Sequence, residues 1–183
     1  MIRRLLLAAL LMLSFNASGE ISFSQLAQIT GMPQKHAGSF VQQKYLQAVD
    51  ASLESSGVFD YERGKSIRWE ILEPIRSELL MTPDGVSDQR NGEQLLQLDA
   101  GANPAAAALG EILFALLTAD WEMLESHVEL SGSVDGENWH AVLEPLDQTA
   151  GLVFKRVELS GSGLLEKIVL HESGGDRTTI VLE

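Results

Sequence analysis

Alternating apolar and polar residues mark three short strands between Gly57 and Gly85. Residues 58–63, 66–72 and 77–82 are rich in β-branched, aromatic or alternating positions. A sequence containing Gly or Pro follows each of them, as is typical of turns between strands. The pattern predicts hairpin-linked antiparallel strands that form part of a curved sheet.

The alternation of side chains along each strand indicates which face of this sheet is apolar and shielded from water. Successive residues of a strand point to opposite faces, so Phe59, Tyr61 and Arg63 share one side of the first strand. Ile67 and Trp69 line up in the same way on the second strand. We therefore expect one apolar face with Arg63 at its edge. Two plainer interpretations stay open: Trp69 as an ordinary core residue, and Arg63 as a solvated arginine beside a turn.

The C-terminal third of the chain has the pattern of a β-meander. Its predicted strands are separated by segments such as Asp135-Gly136 and Gly174-Gly175, which favour tight hairpins. Together with the strands predicted in the first half of the chain, the sheet would have about ten or eleven strands. That number suits a strongly curved antiparallel sheet that closes incompletely, and the fold class is mainly β (α+β) with a half-open barrel. The meander strands are predicted at residues 128–133, 139–144, 152–159, 164–171 and 177–182.

Two further elements precede the first hairpin. Residues 21–31 predict a short helix, capped by Ser22 or Ser24 and ended by Gly31. Residues 38–49 predict a long strand whose two faces are both mixed. Such a strand fits a sheet with a partly solvent-filled interior, and it fits an exposed edge equally well.

Residues 103–117 predict a helix that is apolar almost all round. Asn103 can cap it, and Pro104 suits the first helical position. A helix of this kind must be covered on two sides or must face a cavity. An ordinary core helix packed on a sheet would give the same pattern, and a second short helix is predicted at residues 121–126. The apolar stripe consists of Leu109, Ile112, Leu113, Leu116 and Leu117.

The N-terminus has the features of a cleaved signal peptide at residues 1–19. Arg3 and Arg4 precede the apolar run 5–13, and Ala17-Ser18-Gly19 supplies small residues for cleavage. The run is shorter than the roughly 20 residues that a spanning helix needs. A retained anchor is the alternative. Residues 20–183 are then expected to form a single domain.

Charge and composition limit the kinds of molecule that can bind this protein. Residues 1–19 contain two arginines and no acids, so 11 basic and 26 acidic residues remain, a formal charge of −15. Such a surface repels nucleic acid, which excludes it as a partner. The chain has no Cys, so neither disulfides nor acylation on cysteine is available. Because aromatic residues are few and Leu is abundant, we expect any cavity to be lined mainly by aliphatic side chains.

Catalytic and metal-binding patterns are missing from the sequence. His36, His127, His140 and His171 lack the spacing of a metal site. Gly161-Ser162-Gly163 lies in a predicted hairpin and lacks the nucleophile pattern G-x-S-x-G. We therefore predict no catalytic residue, no metal and no cofactor, and a protein that is not an enzyme.

Several short motifs follow the N-terminal helix in a fixed order: Phe40-x-Gln42, Gly57-x-Phe59, Arg63-Gly64, Arg68-Trp69, Pro74 and Asp84-Gly85. This order resembles the LolA family, the periplasmic carriers of outer-membrane lipoproteins, which have LolB as their outer-membrane relative. The strand that follows the Asp-Gly turn departs from the family pattern, because residues 86–90 read VSDQR where better-known carriers have aromatic residues. Because of this departure, the sequence does not identify the cargo.

The resemblance implies a periplasmic, monomeric carrier that holds acyl chains of a lipoprotein in an apolar groove. Helix 104–117 would act as a lid, and Arg63 corresponds to the arginine that bonds to the lid backbone in the closed family member. The implied partners are an inner-membrane donor complex and an outer-membrane acceptor. The expected ligand-binding residues are Phe59, Tyr61, Arg63, Trp69, Leu79, Met81, Leu109, Ile112, Leu113 and Leu116.

Two other classes of protein remain open. One is a periplasmic accessory protein that binds a glycolipid or another acylated molecule for its synthesis or export. The other is an interaction module that docks to a membrane complex without holding lipid. Acyl species that co-purify with the protein would favour the lipoprotein carrier or the accessory protein over the interaction module.

Overall fold

The structure is a computed structural model that describes residues 21–30, 33–82, 85–90, 93–99 and 114–183. Three of the predicted lid leucine and isoleucine positions, Leu109, Ile112 and Leu113, lie outside the described residues. The described helices are α1 (Phe23–Ile29), α2 (described over residues 114–118), α3 (Trp121–Glu125) and α4 (Gln148–Gly151), with a 3₁₀ turn at Gln47–Val49. Strands are β1 (Lys35–Leu46), β2 (Ala51–Glu62), β3 (Ser66–Glu73), β4 (Ser77–Thr82), β5 (Gly85–Arg90), β6 (Glu93–Asp99), β7 (Val128–Asp135), β8 (Asn138–Pro145), β9 (Phe154–Ser162), β10 (Leu164–Glu172) and β11 (Arg177–Leu182).

One antiparallel sheet contains all of these strands. Its order is β6-β5-β4-β3-β2-β1-β11-β10-β9-β8-β7, so two meanders meet where β1 pairs with β11. Phe40 lies opposite Leu182 at that junction. The two outermost strands of the described sheet, β6 and β7, are not neighbours. A mainly β fold with a curved, unclosed antiparallel sheet is therefore confirmed.

Two buried clusters cover the concave face of the sheet. The larger one lies on β7–β11 and is filled by α1 and α3, through residues such as Leu26, Trp121 and Leu124. The smaller one lies on β1–β4. Leu117 of α2, with Ile180 and Leu182 of β11, packs against both clusters. The end of α2 thus sits at the boundary between the two halves of the sheet.

Helix α1 is fixed at both ends. Ser22 and Gln25 form a capping box at its start, which satisfies two backbone amides. At its end, the indole Nε1 of Trp121 donates to the Thr30 hydroxyl at 2.7 Å, and that hydroxyl donates to the Leu26 carbonyl at 2.7 Å. Because these groups are buried, the chain of hydrogen bonds ties α1 firmly to α3.

The C-terminal end of α2 is closed by a Schellman motif. The Ala119 amide donates to the Leu116 carbonyl at 3.2 Å, and the Asp120 amide donates to the Ala115 carbonyl at 2.8 Å. Ala119 has φ +50°, a left-handed conformation in which glycine is usually found. The motif stops α2 abruptly and lets α3 begin two residues later.

Several boundaries differ from the sequence prediction. β1 begins at Lys35 and ends at Leu46, because residues 47–49 form a 3₁₀ turn. Residues 85–90, which carry no apolar alternation, form β5 because β4 and β6 both pair with them. Asp147 caps the short helix α4 by accepting from the Ala150 amide at 2.9 Å, in a segment predicted as a loop.

Candidate functional site

The smaller cluster on the concave face, here called the concave patch, contains five of the seven predicted ligand-binding residues that the structure describes. Phe59, Tyr61, Trp69 and Met81 are buried in it, and Leu79 packs against it half-buried. Phe40, Ile67 and Phe114 belong to the same patch and were missing from the predicted set. Five of its seven buried residues are aromatic, whereas a mainly aliphatic lining was expected for any cavity.

Strand register brings these residues together. Phe59 of β2 lies opposite Trp69 of β3, which lies opposite Leu79 of β4. One rung further along, Tyr61 and Met81 flank Ile67 in the same way. Direct cross-strand neighbours have Cβ atoms about 5 Å apart, so each rung forms a continuous apolar surface.

Two glycines allow the aromatic rings to lie flat on the sheet. The Phe59 ring covers Gly38, and the Phe40 ring covers Gly57, in each case on the paired strand. With no side chain in the way, the Phe40 ring stacks on Trp69 with centroids 3.8 Å apart and 25° between the planes. Phe59 and Trp69 are 5.9 Å apart at 22°. The result is a layered aromatic surface across three strands.

Helix α2 covers this surface. Phe114 is buried in the concave patch, and Leu117 packs at its margin. The neighbouring Leu116 points the other way: it is fully buried in the larger cluster that contains Trp121 and Leu124. Of the predicted lid residues that the structure describes, Leu117 therefore contacts the concave patch and Leu116 does not belong to it.

Arg63 lies at the turn between β2 and β3, beside the concave patch. Its side chain is exposed, and its backbone amide donates to the Gln34 carbonyl at 2.9 Å. Next to it, the Tyr61 hydroxyl donates to the Pro33 carbonyl at 2.8 Å. Burial raises the pKa of Tyr61, and the positive charge of Arg63 partly offsets that rise. Together these contacts fasten residues 33 and 34 to one end of the concave patch.

The same end of β1 and β2 carries charged groups. Glu62 accepts hydrogen bonds from Lys65 and from Lys35, and both lower the pKa of its carboxyl. An open pocket of about 360 Å³ lies here, lined by Lys35, His36, Ala37, Asp60, Tyr61 and Glu62. Because Lys35, Asp60 and Glu62 are charged, the pocket suits a polar group rather than an acyl chain.

The opposite end of the concave patch is also polar. Along β1, Phe40 is followed on the same face by Gln42 and Lys44. The Lys44 ammonium pairs with the Glu172 carboxylate at 2.8 Å, and the buried Thr178 hydroxyl donates to the same Glu172 oxygen at 3.4 Å. This polar strip was not predicted, because the ion pair joins residues that are 128 positions apart.

The concave patch is apolar and carries few polar atoms. Its one hydroxyl, on Tyr61, is occupied by the Pro33 carbonyl. His36 faces the rings of Phe59 and Tyr61, at centroid distances of 5.5 and 6.1 Å. Within the described ranges, no group of three or more His, Asp or Glu side chains is placed to hold a metal ion. What the patch offers a ligand is apolar and aromatic surface with polar groups at both ends.

Comparisons with known proteins complete the description. The family model "Outer membrane lipoprotein carrier protein LolA" matches residues 33–183. No curated protein matches the chain. None of the helices in the described residues is both long and apolar enough to cross a membrane.

Three solved bacterial structures match the chain at low sequence identity. The LolA superfamily protein NE2245 from Nitrosomonas europaea shares 7% identity, with 89% of this chain and 92% of that chain covered and a TM-score of 0.47. A DUF1329 family protein from Desulfovibrio piger shares 11% identity, with 88% of each chain covered and a TM-score of 0.46. The MucA/MucB complex of Pseudomonas aeruginosa shares 15% identity, with 86% of this chain and 52% of that chain covered and a TM-score of 0.41.

Proposed function

The chain belongs to the LolA family, and from this membership we propose that it is a periplasmic carrier that holds the acyl chains of a lipoprotein and delivers it toward the outer membrane. The observation that carries the proposal is the concave patch: an aromatic surface on the inner side of an unclosed sheet, covered by the end of a helix.

Burial of hydrocarbon supplies the affinity in this proposal. Each buried methylene group contributes about 0.8 kcal/mol, so a long acyl chain gains enough from a groove of this kind to leave water. Phe59, Trp69 and Met81 form the floor of the groove. Trp69 stacks on both Phe40 and Phe59, so an acyl chain that displaced helix α2 would lie against this aromatic stack.

Helix α2 supplies the means of release. Phe114 and Leu117 fill the groove when no cargo is bound, and acyl chains take their place when it is loaded. Because the helix and the cargo compete for one surface, the net affinity is smaller than the burial alone would give. Such a balance suits a protein that must pass its cargo on. Leu109, Ile112 and Leu113 remain proposed lid residues.

An accessory protein for a glycolipid or another acylated molecule is the second candidate. The polar strip of Gln42, Lys44, Thr178 and Glu172 favours it, since these side chains can hydrogen-bond a polar head group beside the groove. In both candidates the protein acts by binding and is not an enzyme.

The mass of the bound lipid tests the proposal. The full chain, exported to the periplasm of a Gram-negative host and purified without detergent, should yield acyl species on organic extraction and mass spectrometry. A co-purifying triacylated lipoprotein supports the first candidate, and a glycolipid supports the second. Extracts without any acyl species, from protein that melts cooperatively, would refute both.

A latch role for Arg63 gives a separate prediction. In the closed state its guanidinium would bond to the lid backbone, and charge-assisted hydrogen bonds contribute roughly 1.5 to 3 kcal/mol. We expect Arg63→Leu to change the rate of cargo release by roughly tenfold while the thermal midpoint stays constant. Stopped-flow displacement of a fluorescent fatty acid measures this rate. Arg76→Leu, at the exposed turn between β3 and β4, is the control. Equal release rates for wild type and Arg63→Leu would remove Arg63 from the mechanism.

A further inference from the structure

Three basic side chains stand next to one another on the convex face of the sheet. Arg156 of β9 lies opposite His171 of β10, and His171 lies opposite Arg177 of β11. Each alternates with a residue that points to the core, such as the buried Val157 beside Arg156 and the buried Thr178 beside Arg177. All three therefore project from the side opposite the groove, and we call them the basic row.

The row contains two permanently charged arginines, Arg156 and Arg177, so it needs compensation by acidic groups. Glu158 provides part of it. Its Oε1 atom lies 2.9 Å from the Arg156 guanidinium and 2.9 Å from Nε2 of His171. One carboxylate oxygen thus serves two members of the row. Arg177 lies over the ring of Tyr45 at 5.9 Å, on the next strand, and the Tyr45 hydroxyl donates to Asp50. The row keeps a surplus of positive charge.

Valine side chains lie on the same face as the basic row, Val169 on the adjacent rung and Val41 and Val181 one rung beyond it, and we call them the valine border. Val169 lies opposite Glu158, and Val181 lies opposite both Lys167 and Val41. Val41 and Val181 are 39% and 40% exposed, although both belong to paired strands. Beside them is a pocket of about 110 Å³, lined by His140, Glu158, Leu159, Ser160, Lys167 and Val169. Basic groups with exposed apolar neighbours are typical of a protein interface.

We propose that the basic row and the valine border form a docking surface for a segment of a partner protein. This segment would contain acidic residues together with small apolar residues such as valine. Charge complementarity argues for this occupant. The chain without residues 1–19 carries 11 basic and 26 acidic residues, so a local surplus of positive charge would orient an acidic partner that the chain as a whole repels. Carboxylates also match the two-pronged geometry of the arginine guanidinium.

A membrane surface is the less suitable occupant. Electrostatic attachment to anionic lipids typically uses four to eight lysine or arginine side chains. The described convex face of β9–β11 offers Arg156, Lys167 and Arg177, and Glu158 already neutralises part of that charge. The excess of acidic residues elsewhere opposes approach to an anionic surface. Because the row lies opposite the groove, docking would leave the groove free, and the proposal stands independently of what the groove carries.

Fluorescence anisotropy with a short labelled peptide of alternating glutamate and valine tests the docking surface. The full chain should bind this peptide, and added salt should weaken the binding. The double variant R156Q/R177Q should raise Kd by roughly tenfold. The control R68Q/R76Q removes the same number of charges and should change Kd by less than about twofold; the side chains of Arg68 and Arg156 are 47% and 48% exposed.

Three outcomes would overturn the proposal. They are absence of peptide binding by the wild-type chain, an equal loss of affinity in both double variants, and binding of phosphatidylglycerol vesicles through the row in place of the peptide. Thermal melts of both double variants distinguish loss of the surface from loss of the fold, since neither pair of arginines is buried.

Discussion

Gly57→Ala should lower the free energy of unfolding by about 3 kcal/mol or more, a large part of the 5–15 kcal/mol typical of a domain. A Cβ atom at this position would lie 1.9 Å from the Glu70 carbonyl oxygen and 2.9 Å from the Phe40 ring. The carbonyl belongs to the backbone of β3, so β2 and β3 must separate before the methyl group fits. Movement of Phe40 alone would not relieve the overlap.

Urea denaturation followed by far-ultraviolet circular dichroism measures this loss. Gly174→Ala is the matched control, because the same methyl group meets no atom within 4 Å there. We expect the control to change the stability by less than about 0.5 kcal/mol. Near-ultraviolet circular dichroism should show in addition that Gly57→Ala disturbs the stack of Phe40 on Trp69. Equal stability of the two variants would mean that β2 and β3 do not pack as described.

The β2–β4 hairpins could be predicted because their information is local. Alternation of Phe59 and Tyr61, and of Ile67 and Trp69, fixes which face is apolar, and the turn sequences fix where each strand ends. Those four residues do lie together in the concave patch. The same reasoning found the cap of α1 and the position of α3, which also depend on neighbouring residues.

Pairing between distant strands could not be predicted from such patterns. Contact of β1 with β11 joins the two ends of the chain, and it alone places Phe40 beside Leu182 and Lys44 beside Thr178. Each residue of the basic row looks like an ordinary solvated side chain in the sequence, since only the register of β9, β10 and β11 makes Arg156, His171 and Arg177 neighbours. Non-local pairing therefore decides both the polar strip and the basic row.

Two further differences between the sequence predictions and the structure also have physical reasons. Periodicity places Leu116 on the apolar stripe of its helix but does not say which of two clusters that stripe meets, and Leu116 meets the larger one. The chain has 11 aromatic residues, counting Phe, Trp and Tyr, and an even spread would have left the groove aliphatic. Instead Phe40, Phe59 and Trp69 concentrate in one patch, because paired glycines leave room for their rings.

Leu79→Gln should abolish most of the acyl loading that we propose for the concave patch. Leu79 lies opposite Trp69 and packs against the patch half-buried, so its side chain would face the cargo. Replacing it with glutamine removes apolar contact and places an amide against hydrocarbon, which costs about 1 to 3 kcal/mol when no partner is available. We expect the amount of acyl species extracted per mole of protein to fall by roughly tenfold.

The adjacent Leu80 provides a close control. It lies on the same strand with the same half-buried exposure, but it faces Arg68 on the convex side. Leu80→Gln should therefore keep the loading within about twofold of wild type, while both variants lose a comparable amount of stability. Mass spectrometry of extracted lipid and thermal melts of the two proteins give the comparison. Equal loading of the two variants would show that the inner face of β4 is not where acyl chains bind, since only the direction of the side chain differs between these positions.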